Sequence, residues 1–420
     1  MSLPPVRYTI LDGGMGTTLE DSGHNVSSNL WSSDPALRSA VRDVHAGFLD
    51  AGAEMIGTAT YQACETLYTQ DGAMSSDRAH ELMLSQVGVA EEAARQASQG
   101  RMSDVGRGKV GLCLGPFGAT LQPGQEYSGL YPPPCGPSSS STTCSTVSSY
   151  TSSLTALREF HLSRLLTYAQ DQATWDSLDW VCFETIPLLR EALAIRLAMR
   201  DLEGKLDEMY GSDGGRKKWW MAYVFPSGKF PDGSTVKQVV AASVLPRPWA
   251  AQELGLSTKD LGFDNGDETS SITELFQDRL PVPQAIGINC TSPAHIRQLS
   301  RDFTQSVEEI LFSGHLDAAE GDIGFVLYPD GGLIYNTTTR SWSVPTGVAT
   351  AGGEGNGSWA RNVAIVAREV GEATRTTSPA GGKEEKTARV WGGGVLVGGC
   401  CKNGFEEIKG LRDELKPREG

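Results

Sequence analysis

Two cysteines stand side by side near the end of the chain, in Gly398-Gly399-Cys400-Cys401, and a third closes Gly287-Ile288-Asn289-Cys290. A disulfide between direct neighbours needs a strained backbone, because S–S bonds normally join residues whose Cα atoms lie about 4.4–6.8 Å apart. Two adjacent thiolates and a third from elsewhere in the fold suit one soft metal better. Zinc fits: it takes sulfur at about 2.3 Å, and its catalytic sites use three protein ligands with the fourth position open. A purely structural zinc is the plainer alternative, but such sites usually carry four protein ligands. The six histidines (24, 45, 80, 161, 295 and 315) show no metal spacing. His295 is near Cys290 in sequence, but it follows Pro293 into a helix and is expected at the helix start.

Both cysteine segments follow apolar, glycine-flanked runs that read as strand ends, so a fold must bring those ends together. Eight short apolar runs are present: Tyr8–Asp12, Glu54–Thr60, Val110–Gly115, Asp179–Glu184, Trp219–Phe225, Ala285–Cys290, Gly324–Tyr328 and Val390–Gly398. Most are near-continuous rather than alternating, as in parallel strands buried on both faces. Helical patterns fall between them. In Pro35–Gly52, Asp34 can cap, Pro35 takes the first position, Gly52 ends the helix, and Leu37, Val41, Val44 and Phe48 form the apolar stripe. Ala79–Gln96, Ser153–Gln170, Pro187–Leu202, Thr235–Ala242, Pro293–Ser300, Trp359–Val370 and Gly404–Leu415 complete the set. Repeated strand–helix alternation predicts an α/β chain folded as a (β/α)8 barrel, one domain over residues 1–420. Segments near 132–149 (Pro/Ser/Thr-rich), 251–271 (polar and acidic) and 371–386 (Gly/Thr/Glu/Lys-rich) cannot bury much apolar surface and read as loop insertions.

Bulk numbers narrow the partners. The 420 residues carry 36 Lys+Arg against 51 Asp+Glu, a net charge of −15. That balance argues against nucleic acid or an anionic membrane as the main partner and is compatible with a cationic substrate. No apolar run reaches the about 18 residues a membrane span needs, and the first residues lack the apolar core of a signal peptide. The expected location is the cytoplasm, where thiols stay reduced. Cys113 and Cys182 lie inside apolar runs and read as core packing.

In a barrel of this kind the active site lies at the C-terminal ends of the strands. Those ends read DGGMGT at 12–17, TATYQ at 58–62, GPFGA at 115–119 followed by EYSGLY at 126–131, FETIP at 183–187, GINCTSP at 287–293, YPDGG at 328–332 and GGCC at 398–401. In this order the set resembles the zinc-dependent homocysteine S-methyltransferase family, over residues from about Asp12 to Asn403. The resemblance implies Zn2+ on Cys290, Cys400 and Cys401, and the amino group of homocysteine on Asp12 and Glu184. Gly13 and Asn289 belong to the same substrate site, with Gly13 allowing close backbone approach. Thr60 and Tyr61 match positions lining the acceptor pocket. Glu126 and Tyr131 match the branch that uses sulfonium donors, S-methylmethionine or S-adenosylmethionine, rather than betaine. Read on their own, Asp12 could cap a turn, Glu184 could be a helix N-terminal charge, and Glu126 could be an ordinary loop acid.

The chemistry agrees. An alkyl thiol with a pKa near 8.5 is only a few per cent thiolate at pH 7, and a bound metal ion deprotonates it. The thiolate can then displace a methyl group from a positively charged sulfur. Rival readings are betaine as donor, which requires an aromatic cage, and a non-catalytic zinc-thiolate store or redox sensor. Ala59, Asp330 and the Lys402-Asn403-Gly404 stretch depart from the family pattern.

Overall fold

The eight apolar runs become eight parallel strands: Tyr8–Ile10, Met55–Gly57, Lys109–Leu114, Trp180–Ile186, Lys218–Tyr223, Ala285–Asn289, Gly324–Tyr328 and Val395–Val397. Each pairs in parallel with its neighbour in the chain, and the first pairs with the last, Tyr8 opposite Val395. A parallel bridge from Leu11 to Met55 closes the ring. The fold is the expected (β/α)8 barrel. This computed structural model describes residues 3–26, 28, 30–72, 74–100, 107–212, 214–246, 278–313, 316, 322–336, 341–343, 357–377 and 386–416.

Several strands stop short of their apolar runs because the last residues leave the ladder to carry polar groups. Successive side chains within a strand point to opposite faces. Ile56, Leu112, Met221, Ile288 and Leu327 face the helices and join the main core. Leu11, Met55, Cys182, Trp220, Val326, Tyr328 and Leu396 fill the barrel interior. Two buried faces per strand account for the near-continuous apolar runs.

The helix at 35–52 is built as its sequence implies. Asp34 Oδ1 accepts from Ala36 N at 2.9 Å, Pro35–Leu37 forms a 3-10 turn, and Arg38–Ala51 ends at Gly52 with φ 107°. Other helices run longer than their apolar stripes: Ser76–Gly100, Leu189–Tyr210 and Pro293–Ser313. Among the described residues, no helix is long and apolar enough to cross a membrane.

Two of the three insertions need correction. Pro132–Ser149 is packed onto the barrel rather than merely appended to a loop. Cys135 is buried and its carbonyl accepts from Ser153 Oγ at 2.6 Å, while Arg190 donates to Thr142 O at 3.2 Å. Thr146 and Ser149 form a capping box on the helix Val147–Ala169. Short Ser and Thr side chains order the backbone here by local hydrogen bonds, which composition alone does not show. Near 371–386, the helix Gly357–Glu372 runs into the segment, and Thr374–Thr377 pairs antiparallel with Lys386–Arg389. Residues 378–385 and the whole of 251–271 lie outside the described residues.

Candidate active site

A cavity of about 170 Å³ opens at the C-terminal ends of the strands. Its floor is aromatic: Trp220 lies 5.5 Å from Trp180 between ring centroids and donates through Nε1 to the Tyr328 hydroxyl at 3.3 Å. Two carboxylates stand above this floor. Asp12 accepts from Gly57 N at 2.8 Å and is pushed up to about 8, by burial and, less strongly, by the charge of Glu184. Burial pushes Glu184 up to about 7, against hydrogen bonds from the Cys113 thiol and the Tyr328 hydroxyl. Two buried carboxyls that resist ionisation are poised to take up a cation.

The metal-type donors follow the sixth and eighth strands. The sulfurs of Cys290, Cys400 and Cys401 fall within 4.8 Å of one another, and all three residues line the cavity. Among the described residues this is the cluster of three or more His, Cys, Asp or Glu side chains placed to hold a metal ion. The donor set fits a soft cation. Burial, then the charges of Asp330 and Glu126, push the Cys401 thiol up to about 12. Cys290 and Cys400 are joined here as a disulfide, and of the three expected ligands Cys401 is the free thiol. The fold brings the two Cα atoms to 5.4 Å, inside the disulfide range. Reduction restores three donors.

The backbone is strained around this cavity. Among the described residues, the non-glycine ones with left-handed φ are Trp31 (49°), Thr185 (59°), Ser227 (54°), Cys290 (43°) and Lys402 (61°). Trp31, Thr185 and Cys290 line the cavity and Lys402 adjoins Cys401. Such conformations persist where the surroundings over-determine them, and they cluster at functional sites.

Of the residues predicted for the site, Asp12, Gly13, Tyr61, Glu126, Glu184 and the three cysteines line the cavity. Glu126 is pushed up to about 7 by burial, and its Oε2 is buried without a partner among the described residues. Tyr61 is held from behind by Arg164, which is buried and donates to the carbonyls of Tyr61 (2.9 Å) and Gly115 (2.7 Å), among others.

Thr60, Tyr131 and Asn289 lie behind the wall, a correction to their expected substrate contact. Thr60 Oγ1 donates to Cys113 O at 2.7 Å. The Tyr131 hydroxyl donates to the buried Glu191 at 2.7 Å. Asn289 holds Thr185 at both ends, its Oδ1 accepting from Thr185 N and its Nδ2 donating to Thr185 Oγ1, each at 2.8 Å. Gly13 also serves a different purpose, since a Cβ there would lie 2.3 Å from the Asn403 carbonyl.

Sequence reasoning missed Trp31, Tyr127, Cys113, Cys182 and Tyr328 as lining residues. A signal for Cys182 was present: it lies two residues before Glu184, hence on the same strand face. Gly57 and Gly111 leave room for these thiols, since added Cβ atoms would meet Cys113 Sγ at 2.4 Å and Cys182 Sγ at 2.6 Å.

The homocysteine S-methyltransferase family model matches residues 9–256 and 254–415. The chain belongs to the homocysteine S-methyltransferase family. It is 26% identical over 419 residues to homocysteine S-methyltransferase 4 of Zea mays, covering 98% of this chain and 90% of that protein. It is 24% identical over 405 residues to homocysteine S-methyltransferase YbgG of Bacillus subtilis (strain 168), covering 95% and 92%. Its fold matches the metallated form of the homocysteine methyltransferase MmuM from Escherichia coli, with a TM-score of 0.56, 21% identity and coverage of 96% and 95%. Family membership makes this chain an enzyme of methyl transfer to homocysteine, which removes the non-catalytic store or sensor from consideration.

Proposed function

We propose that the enzyme transfers a methyl group from a sulfonium donor, S-methylmethionine or less efficiently S-adenosylmethionine, to the sulfur of L-homocysteine, forming methionine. In this reading Cys290, Cys400 and Cys401, once reduced, hold Zn2+. The bound zinc would supply the positive charge that turns the homocysteine thiol into a thiolate near neutral pH. Asp12 and Glu184 take the homocysteine ammonium, which gives both carboxylates the cation that burial makes them need. The single observation that carries the reading is this combination: two buried carboxylates and three sulfurs open onto one cavity.

The methyl transfer is a displacement. A bond forms from the homocysteine sulfur to the methyl carbon, and the bond from that carbon to the donor sulfur breaks. Its electron pair stays on the donor, which leaves as a neutral thioether, and the thiol proton goes to solvent. The protein's part is to hold both substrates in line. Glu126 Oε2, buried and unpaired, supports a cationic donor beside the acceptor. Tyr127 hydrogen-bonds with the Cys401 sulfur and lines the same cavity. A cytoplasmic setting belongs to the same reading, because the thiols must stay reduced.

Trp31, Tyr61 and Tyr127 also line the cavity. Aromatic faces hold quaternary ammonium groups, so betaine is the one rival donor with structural support. The test is methionine formation by reduced, zinc-loaded protein given homocysteine and each donor in turn. Turnover with a sulfonium donor, abolished by chelation, is the expected result. Turnover with betaine alone would overturn the donor assignment, and turnover undiminished by chelation would overturn the metal.

A further inference from the structure

Asn403, two residues past the cysteine pair, is only 1% exposed. Its Nδ2 donates to Pro329 O at 2.9 Å and to Cys400 O at 3.3 Å. Its backbone N–H donates to the same Cys400 carbonyl at 3.1 Å, and its own carbonyl accepts from Gly14 N at 3.0 Å. Cys400 N–H in turn donates to Pro329 O at 2.8 Å. One residue therefore ties together the loops that follow the first, seventh and eighth strands. The N–H and the C=O of Cys400 both end on this bridge. Two glycines make the seat: a Cβ on Gly399 would lie 2.5 Å from Asn403 Cβ, and one on Gly13 would lie 2.3 Å from Asn403 O.

The amide is only half used. Asn403 Oδ1 is buried and has no partner among the described residues. An unpaired buried acceptor costs stability, whereas an apolar side chain of the same size would not carry that cost. Neither carbonyl would be left unsatisfied without Nδ2, because Pro329 O also accepts from Cys400 N and Cys400 O also accepts from Asn403 N; what Nδ2 adds is a direct tie between the two. Stability therefore gives no reason for asparagine here, while geometry does.

We propose that Asn403 is a positioning residue for the cysteine triad, holding the Cys400 peptide so that its sulfur stays with those of Cys290 and Cys401. The proposal rests on the metal-binding reading given above. Groups behind metal ligands typically change metal affinity by about 10–100-fold when removed.

The test is Asn403→Leu, which keeps the volume and removes Nδ2. Zinc affinity is measured on reduced protein by competition with a chromogenic chelator, and the metal-free fold by thermal unfolding. The expected result is a zinc dissociation constant raised at least about tenfold, with a Tm shift of no more than about 2 °C. Wild-type zinc affinity in a folded variant overturns the proposal. If the wild-type protein itself binds no zinc, the zinc reading falls, and the Cys290–Cys400 pair decides on Asn403 alone. Its equilibrium with reduced and oxidised glutathione should then move several-fold toward the dithiol in the variant, and an unmoved equilibrium overturns the proposal. If Asn403→Leu does not fold, Asn403→Ser is measured in the same way.

Discussion

Glu184 and Cys290 face one cavity but serve different chemistry, so their loss should separate. Glu184→Gln keeps the shape and removes the charge. A hydrogen bond to a charged group is worth about 1.5–3 kcal/mol, so KM for homocysteine should rise at least about tenfold with zinc content unchanged. Unchanged KM would make Glu184 a structural acid, held by Cys113 and Tyr328. Cys290→Ala should instead lose metal and activity together, and full zinc occupancy by elemental analysis would remove Cys290 from the ligand set. The motifs name Asp12, Glu126 and Glu184, and all three line the cavity: Asp12 just past the first strand, Glu184 within the fourth, and Glu126 in the loop after the third. They did not give side-chain direction. Thr185 and Cys290 have left-handed φ of 59° and 43°, which breaks strand alternation where it matters. Asn289 therefore points at Thr185 rather than at the cavity.

The elements were more legible than the side chains, and for a physical reason. Parallel strands buried on both faces leave long apolar runs, and helix caps leave Asp34-Pro35 and Gly52. Those signals are local in sequence. The Pro132–Ser149 segment lacks both, and its order comes from contacts to distant residues such as Arg190 and to the helix it precedes. The Thr146/Ser149 capping box is one such local contact. Thr146→Ala isolates that effect: Ser149 N donates to Thr146 Oγ1 at 3.1 Å. Its loss should cost about 1 kcal/mol in denaturant unfolding and leave KM for homocysteine untouched. A cost near zero would show that the segment is held by its packing alone.

At the scale of the whole molecule, the cavity makes stability depend on pH in an unusual direction. Burial raises Asp12 to about 8 and Glu184 and Glu126 to about 7, while in an unfolded chain such carboxyls titrate near pH 4. Between about pH 4 and pH 8 the metal-free folded protein therefore holds protons that the unfolded chain has released. The resulting stability is complete below about pH 4 and is lost as pH rises through the folded values. The Tm of metal-free protein should fall from pH 5 to pH 8, and Glu184→Gln should flatten part of that fall. Homocysteine reverses the balance, because its ammonium favours the ionised carboxylates. To metal-free protein, where no metal draws the thiol proton, it should bind with release of protons at pH 6, and more tightly at pH 8 than at pH 6. Calorimetry in buffers of different ionisation enthalpy reads the proton count directly. If homocysteine binds with no proton release at pH 6, the carboxylates are already ionised there, and the burial that raises them does not govern the site.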